Sequence, residues 1–329
     1  MANDDLEVLP GVGPATADQL THAGYETVEA LAVAKPGELT ATTSIDEIRA
    51  KEIIRAARDH SDASLDELTS GLAFEQSARV TTGIPPLDEC LGGGFETGSI
   101  AQVYGNEDSG RSRLAHQLAV RAQLPEHRGG LGGHGAYIGT RGTFSPELIR
   151  TIVEGLPQSE ATALADRYGF SSYETNKISE AVLNHITTLT PAGVTEQLLS
   201  VEQLHEDLAS DANLTFIAVD SISKQFEIEF PARADIAERQ QKFNKHLHHL
   251  LQVADIHDTH VFLTNATASS AKPYGGEIIT HNVPYTLRLL NTSSENRRIR
   301  IEDSPQGAPD REITLIPESG RFVAASRDD

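Results

Sequence analysis

The hydrophobic and polar positions of this chain fall into short apolar runs separated by helix-period segments, the pattern of an α/β protein. Ile100-Ala101-Gln102-Val103-Tyr104 reads as a short apolar strand, and Ser112 to Ala122 as a helix with Leu114, Leu118 and Ala122 on one face. Leu214 to Val219 reads as a buried strand ending in Asp220-Ser221. Strands at 136–140 and 260–265 and a helix at 234–254 complete the alternation, which predicts a mostly parallel sheet with helices on both faces. Residues 285–290, 297–302 and 311–317 read as β-strands. Residues 1–62 differ: a short helix runs to about Ala23 with Gly24 as its stop, and periodicity places further helices at 27–34 and 46–60. The division expected is a small all-α module at 1–62, a linker at 63–82, a core at 83–323 and a polar tail at 324–329.

Between the first strand and its helix lies Gly105-Asn106-Glu107-Asp108-Ser109-Gly110-Arg111-Ser112. Its spacing is that of G-x-x-x-x-G-K-[ST], in which backbone N–H groups close around phosphates, the Lys reaches the outer phosphates and the hydroxyl holds Mg²⁺. Here Arg111, a planar fork and not a point charge, stands at the Lys position. Glu107 and Asp108 put two carboxylates where phosphate should be attracted. Asp220, at the end of a buried strand, suits the carboxylate that positions Mg²⁺ through water, with Ser112 as its partner. ATP and Mg²⁺ are therefore the expected cofactors, in a weakened site; a Gly-containing surface turn is the plain alternative.

Charge changes the picture less than it first suggests. The chain has 27 basic and 48 acidic residues, a net charge of −21, and only seven of the basic residues are Lys. Many carboxylates, few Lys and 5% aromatics resemble proteins adapted to molar intracellular salt. The competing reading is an acidic protein that avoids nucleic acid. At about 1 M salt the Debye length is about 3 Å, so local contacts decide and the acidity does not exclude DNA. One cysteine, Cys90, excludes an intramolecular disulfide framework. No apolar run reaches the length of a membrane span and no signal pattern opens the chain, so a cytoplasmic location without membrane contact is expected.

Leu9-Pro10-Gly11-Val12-Gly13 resembles the hairpin of helix-hairpin-helix domains, where two glycines allow a tight turn whose N–H groups hold a DNA phosphate without reading sequence. Gly11 and Gly13 are the candidate contacts; a structural or protein-binding module is the alternative. The cluster His246/His248/His249 has partial metal spacing but no paired acid, and is expected to be a solvated helix face.

Taken together, these strings resemble archaeal RadA, a RecA-family recombinase, in its haloarchaeal form. The resemblance runs through residues 9–17, Leu91 to Thr97, His116 to Val120, Gln123-Leu124-Pro125, Thr143-Phe144, Val219-Asp220-Ser221 and Ala237 to Leu247. It implies a RecA-like phosphate-loop core with a helix-hairpin-helix domain, acting on single- and double-stranded DNA. The departures fall at the family's catalytic centre. The family's Asp-x-Glu strand end, whose Glu orients the attacking water, is Gly139-Thr140-Arg141 here, and the Arg after Thr-Phe is Ser145. The Gln that senses the γ-phosphate is Ala266, and the DNA-inserting loop after it is shortened. Arg233 and Arg239 match family arginines near DNA, and Lys272 lies in the shortened loop; each also reads as an ordinary solvated charge. The Lys-rich turn of the C-terminal hairpin is replaced by residues 291–296.

The resemblance thus implies an accessory RadA paralogue of recombination and DNA repair that hydrolyses little ATP, with RadA or itself as oligomeric partner. The alternatives are an active DNA-dependent ATPase catalysing strand exchange, and a nucleotide-independent scaffold. Phe74 lies where the family has a linker Phe-x-x-Ala that plugs into the neighbouring subunit, although Ala78 is one place late. Burial of one Phe is worth about 1.5–3 kcal/mol. Phe74→Ala is therefore expected to disperse self-assembly or a RadA complex in sedimentation while leaving the melting temperature of the monomer nearly unchanged. A fall in melting temperature with association intact would place Phe74 within its own chain instead.

Overall fold

Alternate residues of the central strands face two separate cores, which is why the sequence reads there as continuous apolar runs. The computed structural model describes residues 6–25, 27–32, 39, 42–45, 49–50, 53–54, 56–57, 78–140, 142–170, 174–210, 213–268, 272–292, 295–307 and 310–325. Phe74, Arg141 and residues 63–77 lie outside this set, and the side chain of Arg233 is likewise not described. The chain divides into two units, Met1–Gln76 and Ser77–Asp329.

In the smaller unit, helices α1 (Pro14–His22) and α2 (Val28–Ala32) lie on a core that includes Leu6, Leu9, Val12, Leu20, Leu31 and Ile53. Pro14 takes the first helical position, where no N–H is needed, and Gly24 follows the helix in the left-handed region at φ 94°.

The larger unit opens with β1 (Arg79–Val80), which pairs antiparallel with β2 (Phe95–Glu96), α3 (Pro85–Cys90) lying between them. This strand falls inside the stretch 63–82 that the sequence reads as linker. Then come β3 (Ile100–Gly105), α4 (Arg111–Arg121), β4 (His134–Gly139), α5 (Pro146–Glu154), α6 (Gln158–Arg167), α7 (Thr175–Asn184), β5 (Ile186–Leu189) and α8 (Val194–Ser210). The chain continues through β6 (Leu214–Asp220), α9 (Lys224–Glu229), α10 (Ile236–Ile256), β7 (His260–Ala266) and α11 (Glu277–Asn282). It ends with β8 (Tyr285–Asn291), β9 (Arg297–Asp303), β10 (Glu312–Glu318) and β11 (Arg321–Ala324). Nine strands form one sheet in the order β11-β10-β9-β8-β3-β7-β6-β4-β5. The pairs from β8 to β5 are parallel and those from β8 to β11 antiparallel.

One face carries Val103, Phe216, Ala218 and Phe262 against α4–α7; the other carries Ile217, Val219, Val261 and Leu263 against α8–α10. The β11 edge is closed by a side chain. Gln117 on α4 accepts the Phe322 N–H at 2.7 Å and donates to the Phe322 carbonyl at 3.1 Å, replacing a missing neighbour strand. Ser145 is the N-cap of α5 and accepts the Leu148 N–H at 3.2 Å.

One member of the histidine cluster departs from the expected solvated face, while His248 is exposed and His249 half-buried. His246 is fully buried on α10 against Phe226 and Gln197, because α10 turns that side toward α8 and α9. Burial, with His249 adding to it, pushes the His246 imidazole down to about 3, and burial pushes His260 on β7 down to about 4. Both are neutral in the folded protein and titrate near 6.5 once unfolded, so their contribution is full above pH 6.5 and is lost as pH falls toward 4. Each histidine then adds about 1.4 kcal/mol of lost stability per pH unit in that window. Denaturant unfolding of the wild type and His260→Gln at pH 6.5 and 5 is expected to show a shallower loss in the variant. Equal slopes would count against buried, neutral His260.

Candidate functional site

The turn between β3 and α4 is built by close packing. A Cβ on Gly105 would stand 2.5 Å from the Leu289 carbonyl oxygen, and Gly110 has φ 97° with the Phe322 ring 2.4 Å from its would-be Cβ. Gly110 caps α4, so the first N–H groups of that helix face the mouth of the turn. Asp108 occupies the left-handed region at φ 59°, which Asp tolerates better than most non-glycine residues. The turn is held from behind by the β8–β9 hairpin: Arg297 Nη2 donates to the Asp108 carbonyl at 3.1 Å and Asn291 Nδ2 to the Glu107 carbonyl at 3.4 Å.

In front of the turn is a cavity of about 550 Å³. Of the eight loop residues, Gly105, Asn106, Glu107, Arg111 and Ser112 line it. Asp108, Ser109 and Gly110 do not. The Asp108 side chain is exposed elsewhere, and Ser109 is buried with its hydroxyl unpartnered among the described residues. The expected repulsion therefore concentrates on Glu107, whose side chain is 88% exposed with Lys224 Nζ 3.9 Å away.

Asp220 is the centre of the site. Its Oδ1 accepts from Ser112 Oγ at 3.1 Å and Thr264 Oγ1 at 2.5 Å, and its Oδ2 from the Tyr137 hydroxyl at 2.6 Å. Burial, reinforced by the Asp220 charge, raises the Tyr137 phenol well above its ordinary range, so it remains a donor. His116 completes the network. The Ser145 N–H donates to its Nε2 at 2.9 Å, so the proton sits on Nδ1, which donates to the Ser112 carbonyl at 2.7 Å. Burial holds this imidazole below its ordinary range, hence neutral. The sequence singled out Ser112 and Asp220; the hydroxyls around them have no motif of their own.

Arg111 crosses the cavity and donates through Nη1 to the Asn265 carbonyl at the end of β7. Burial lowers its pKa, while Asp220, Glu227 and Glu107 oppose the shift. The end of β4 carries hydroxyls, not carboxylates, among its described residues: Thr140 and Thr143 line the cavity and donate to the Asp220 carbonyl at 3.1 and 2.6 Å. Ala266 lines the far wall. The residues fit a phosphate cradle with a Ser–Asp pair for Mg²⁺. Among the described residues, the strand that follows α4 and the turn after it supply no carboxylate to the cavity.

A second cavity, about 740 Å³, shares Glu227, Ala266 and Thr267 with the first and brings together Arg239 and Lys272. Arg239 Cζ lies 5.3 Å from the Tyr274 ring centroid. Arg233 begins a short 3₁₀ turn, Arg233–Asp235, ahead of α10. In the smaller unit Gly11 turns at φ 83° and Gly13 precedes α1 as its N-cap. Arg49, which no sequence signal marked, donates to the Gly11 carbonyl. No cluster of three or more metal-ligating side chains occurs among the described residues, and no described helix is long and apolar enough to cross a membrane.

Comparison with known proteins agrees with this geometry. The Rad51 family model matches residues 75–321, and the model described as SAM-like helix-hairpin-helix tandem matches residues 4–59. The chain is 38% identical to the DNA repair and recombination protein RadA of Haloferax volcanii, covering 97% of this chain and 99% of that one. It is 36% identical to the RadA of Haloquadratum walsbyi with the same coverage, and 36% identical to that of Methanoculleus marisnigri over 97% and 98%.

The cavity lining sets an order among the loop acids. Glu107→Gln is expected to tighten ATP binding by up to about fivefold, the scale of one solvated charge pair, and more as salt is lowered. Asp108→Gly is expected to change affinity less. Titration calorimetry of both variants at two salt concentrations checks this, and a larger effect from Asp108→Gly would refute the order.

Proposed function

The chain belongs to the Rad51 family, and from that premise we propose that it acts in homologous recombination and DNA repair as an accessory RadA-like protein that hydrolyses little ATP. The relatives' shared name supports the recombination and repair role. One observation carries the accessory reading: the phosphate cavity has its cradle but no carboxylate from the strand after α4, and its arginine is tied to Asn265. The Gly105–Ser112 loop would hold the phosphates, and Ser112 with Asp220 the Mg²⁺. The metal, when bound, would neutralise phosphate charge. Ser112 and Asp220 are pre-aligned by Thr264 and Tyr137, which lowers the reorganisation needed on binding.

Single- and double-stranded DNA are the proposed polymeric ligands. Arg239 and Lys272, lining one cavity beside Tyr274, offer cations and an aromatic face suited to a single strand. Gly11, Gly13 and Arg49 offer a phosphate contact in the smaller unit, and Arg233 a further cation. RadA, or a second copy of this chain, is the proposed protein partner through Phe74, in a cytoplasmic setting.

A second reading, an active DNA-dependent ATPase with displaced groups, has one observation in its favour. Glu227 lines the phosphate cavity and its Oε1 is buried without a partner among the described residues. Turnover measured in about 2–3 M KCl, where surface charges are screened, separates the two. The accessory reading expects a rate at least about 10²-fold below that of Haloferax volcanii RadA, with and without single-stranded DNA. Arg141→Glu alone is expected to restore little. A rate matching that RadA, abolished by Glu227→Gln, would establish the second reading.

A further inference from the structure

The phosphate loop commits its own cation to a backbone carbonyl, and a second cation reaches the same cavity from outside the loop. The Arg111 guanidinium donates to the Asn265 carbonyl. Lys224 opens α9, four places after Asp220, and lines the cavity together with Ser112 and Asp220. The turn that carries it is pinned to β7: the Ile222 N–H donates to the Thr264 carbonyl at 3.0 Å, and Ser223 Oγ accepts the Ala266 N–H at 3.3 Å. From this fixed backbone the side chain brings Nζ to 3.9 Å from Glu107 Oε1 on the loop and 3.7 Å from Glu227 Oε2 on its own helix. Neither contact is short enough for a hydrogen bond. The ammonium is held by charge alone, and its three donors remain available.

We propose that Lys224 is the cation that meets the outer phosphates of a bound nucleotide, in place of the residue at the lysine position of the loop. This assignment rests on the reading that the cavity binds MgATP. The cavity lining holds three carboxylates, Glu107, Asp220 and Glu227, against two cations, Arg111 and Lys224. The two cations differ in what they give up on meeting phosphate. Arg111 must leave a hydrogen bond to Asn265, a fully buried residue. Lys224 leaves only two longer charge contacts, of a kind worth little at a solvated rim and less in molar salt. Phosphate oxygens would replace them with charge-assisted hydrogen bonds, roughly twice as strong as neutral ones. An ammonium on a flexible stem is a point charge that follows the phosphates without the fixed plane a guanidinium requires. Glu107 and Glu227 then serve to hold the ammonium at the cavity in the absence of nucleotide.

The test uses the full chain and titration calorimetry with MgATP in about 2–3 M KCl, where screening leaves only direct contacts. Lys224→Gln is expected to weaken MgATP binding about 10- to 100-fold, the scale of a hydrogen bond to a charged group. Arg111→Gln is expected to weaken it less. The Lys224→Gln loss is expected to persist in the Glu107→Gln/Glu227→Gln background, where neither acid remains for the lysine to neutralise. Labelling of the wild type with an amine-reactive ester, read by mass spectrometry, checks the assignment without any variant. MgATP is expected to slow labelling of Lys224 and to leave that of Lys242, which lies on α10 and does not line the cavity, unchanged. A Lys224→Gln loss no greater than the about fivefold of a surface charge pair would overturn the assignment while leaving nucleotide binding standing. So would a loss that vanishes in the double-variant background, a larger loss from Arg111→Gln, or Lys224 labelling unaltered by MgATP. No MgATP binding by the wild type overturns the reading of the cavity itself, and the assignment with it.

Discussion

Three hydroxyl groups converge on one buried carboxylate, and the site is arranged around that convergence. Asp220 at the end of β6 receives Ser112 from α4, Tyr137 from β4 and Thr264 from β7, so a single negative charge aligns two neighbouring strands and the helix that leaves the phosphate loop. A buried carboxylate without such donors would be costly. Burial keeps Tyr137 protonated, so it remains a donor to Asp220, and holds the His116 imidazole below its ordinary range, so that Nε2 remains an acceptor for the Ser145 N–H. The tautomer of His116 in turn fixes the Ser112 carbonyl and the start of α5 through Ser145. The turn, the Ser112–Asp220 pair and the entry to α5 are one network.

The second theme is the use made of arginine. Guanidinium groups hold backbone carbonyls at turns throughout the chain: Arg49 on Gly11, Arg79 on Gly94, Arg121 on Thr81, Arg167 on Gly132 and Arg297 on Asp108. A planar fork with several fixed donors suits this task better than a lysine, which matches a chain with seven Lys among 27 basic residues. Such contacts are short-ranged hydrogen bonds, which molar salt screens less than surface ion pairs. Arg111 belongs to the same class. At the lysine position of a phosphate loop it clamps a carbonyl, and this links an unusual composition to an unusual site.

Much of the core was legible because both faces of the sheet are covered, and buried parallel strands leave long apolar runs. The strands expected at 214–219, 260–265, 285–290 and 297–302 correspond to β6, β7, β8 and β9 within a residue or two. The helices α5–α8 and the short β5 carried weaker patterns, since Ile186–Leu189 buries one residue of four and lies at the sheet edge. β1 and β11 are two and four residues long and owe their state to pairing, with Gln117 closing the β11 edge. His246 was misread because a histidine among other histidines and a lysine looks solvated. Only the packing of α8 and α9 on α10 buries it.

Residue type at fixed spacing along the chain was enough for the G-x-x-x-x-G spacing at 105–110 with Ser112 two places on, the apolar strand that ends in Asp220, the absence of an Asp-x-Glu strand end and the family resemblance. Tertiary structure alone decided which acids face the cavity, where Arg111 reaches, and that Arg239 and Lys272 line one wall next to it. Those outcomes depend on side-chain direction and on contacts between residues far apart in the chain, 154 positions between Arg111 and Asn265 and 189 between Asp108 and Arg297. A turn in the left-handed region carries Asp108 outward while its neighbour Glu107 stays at the cavity rim, and no spacing rule encodes that difference.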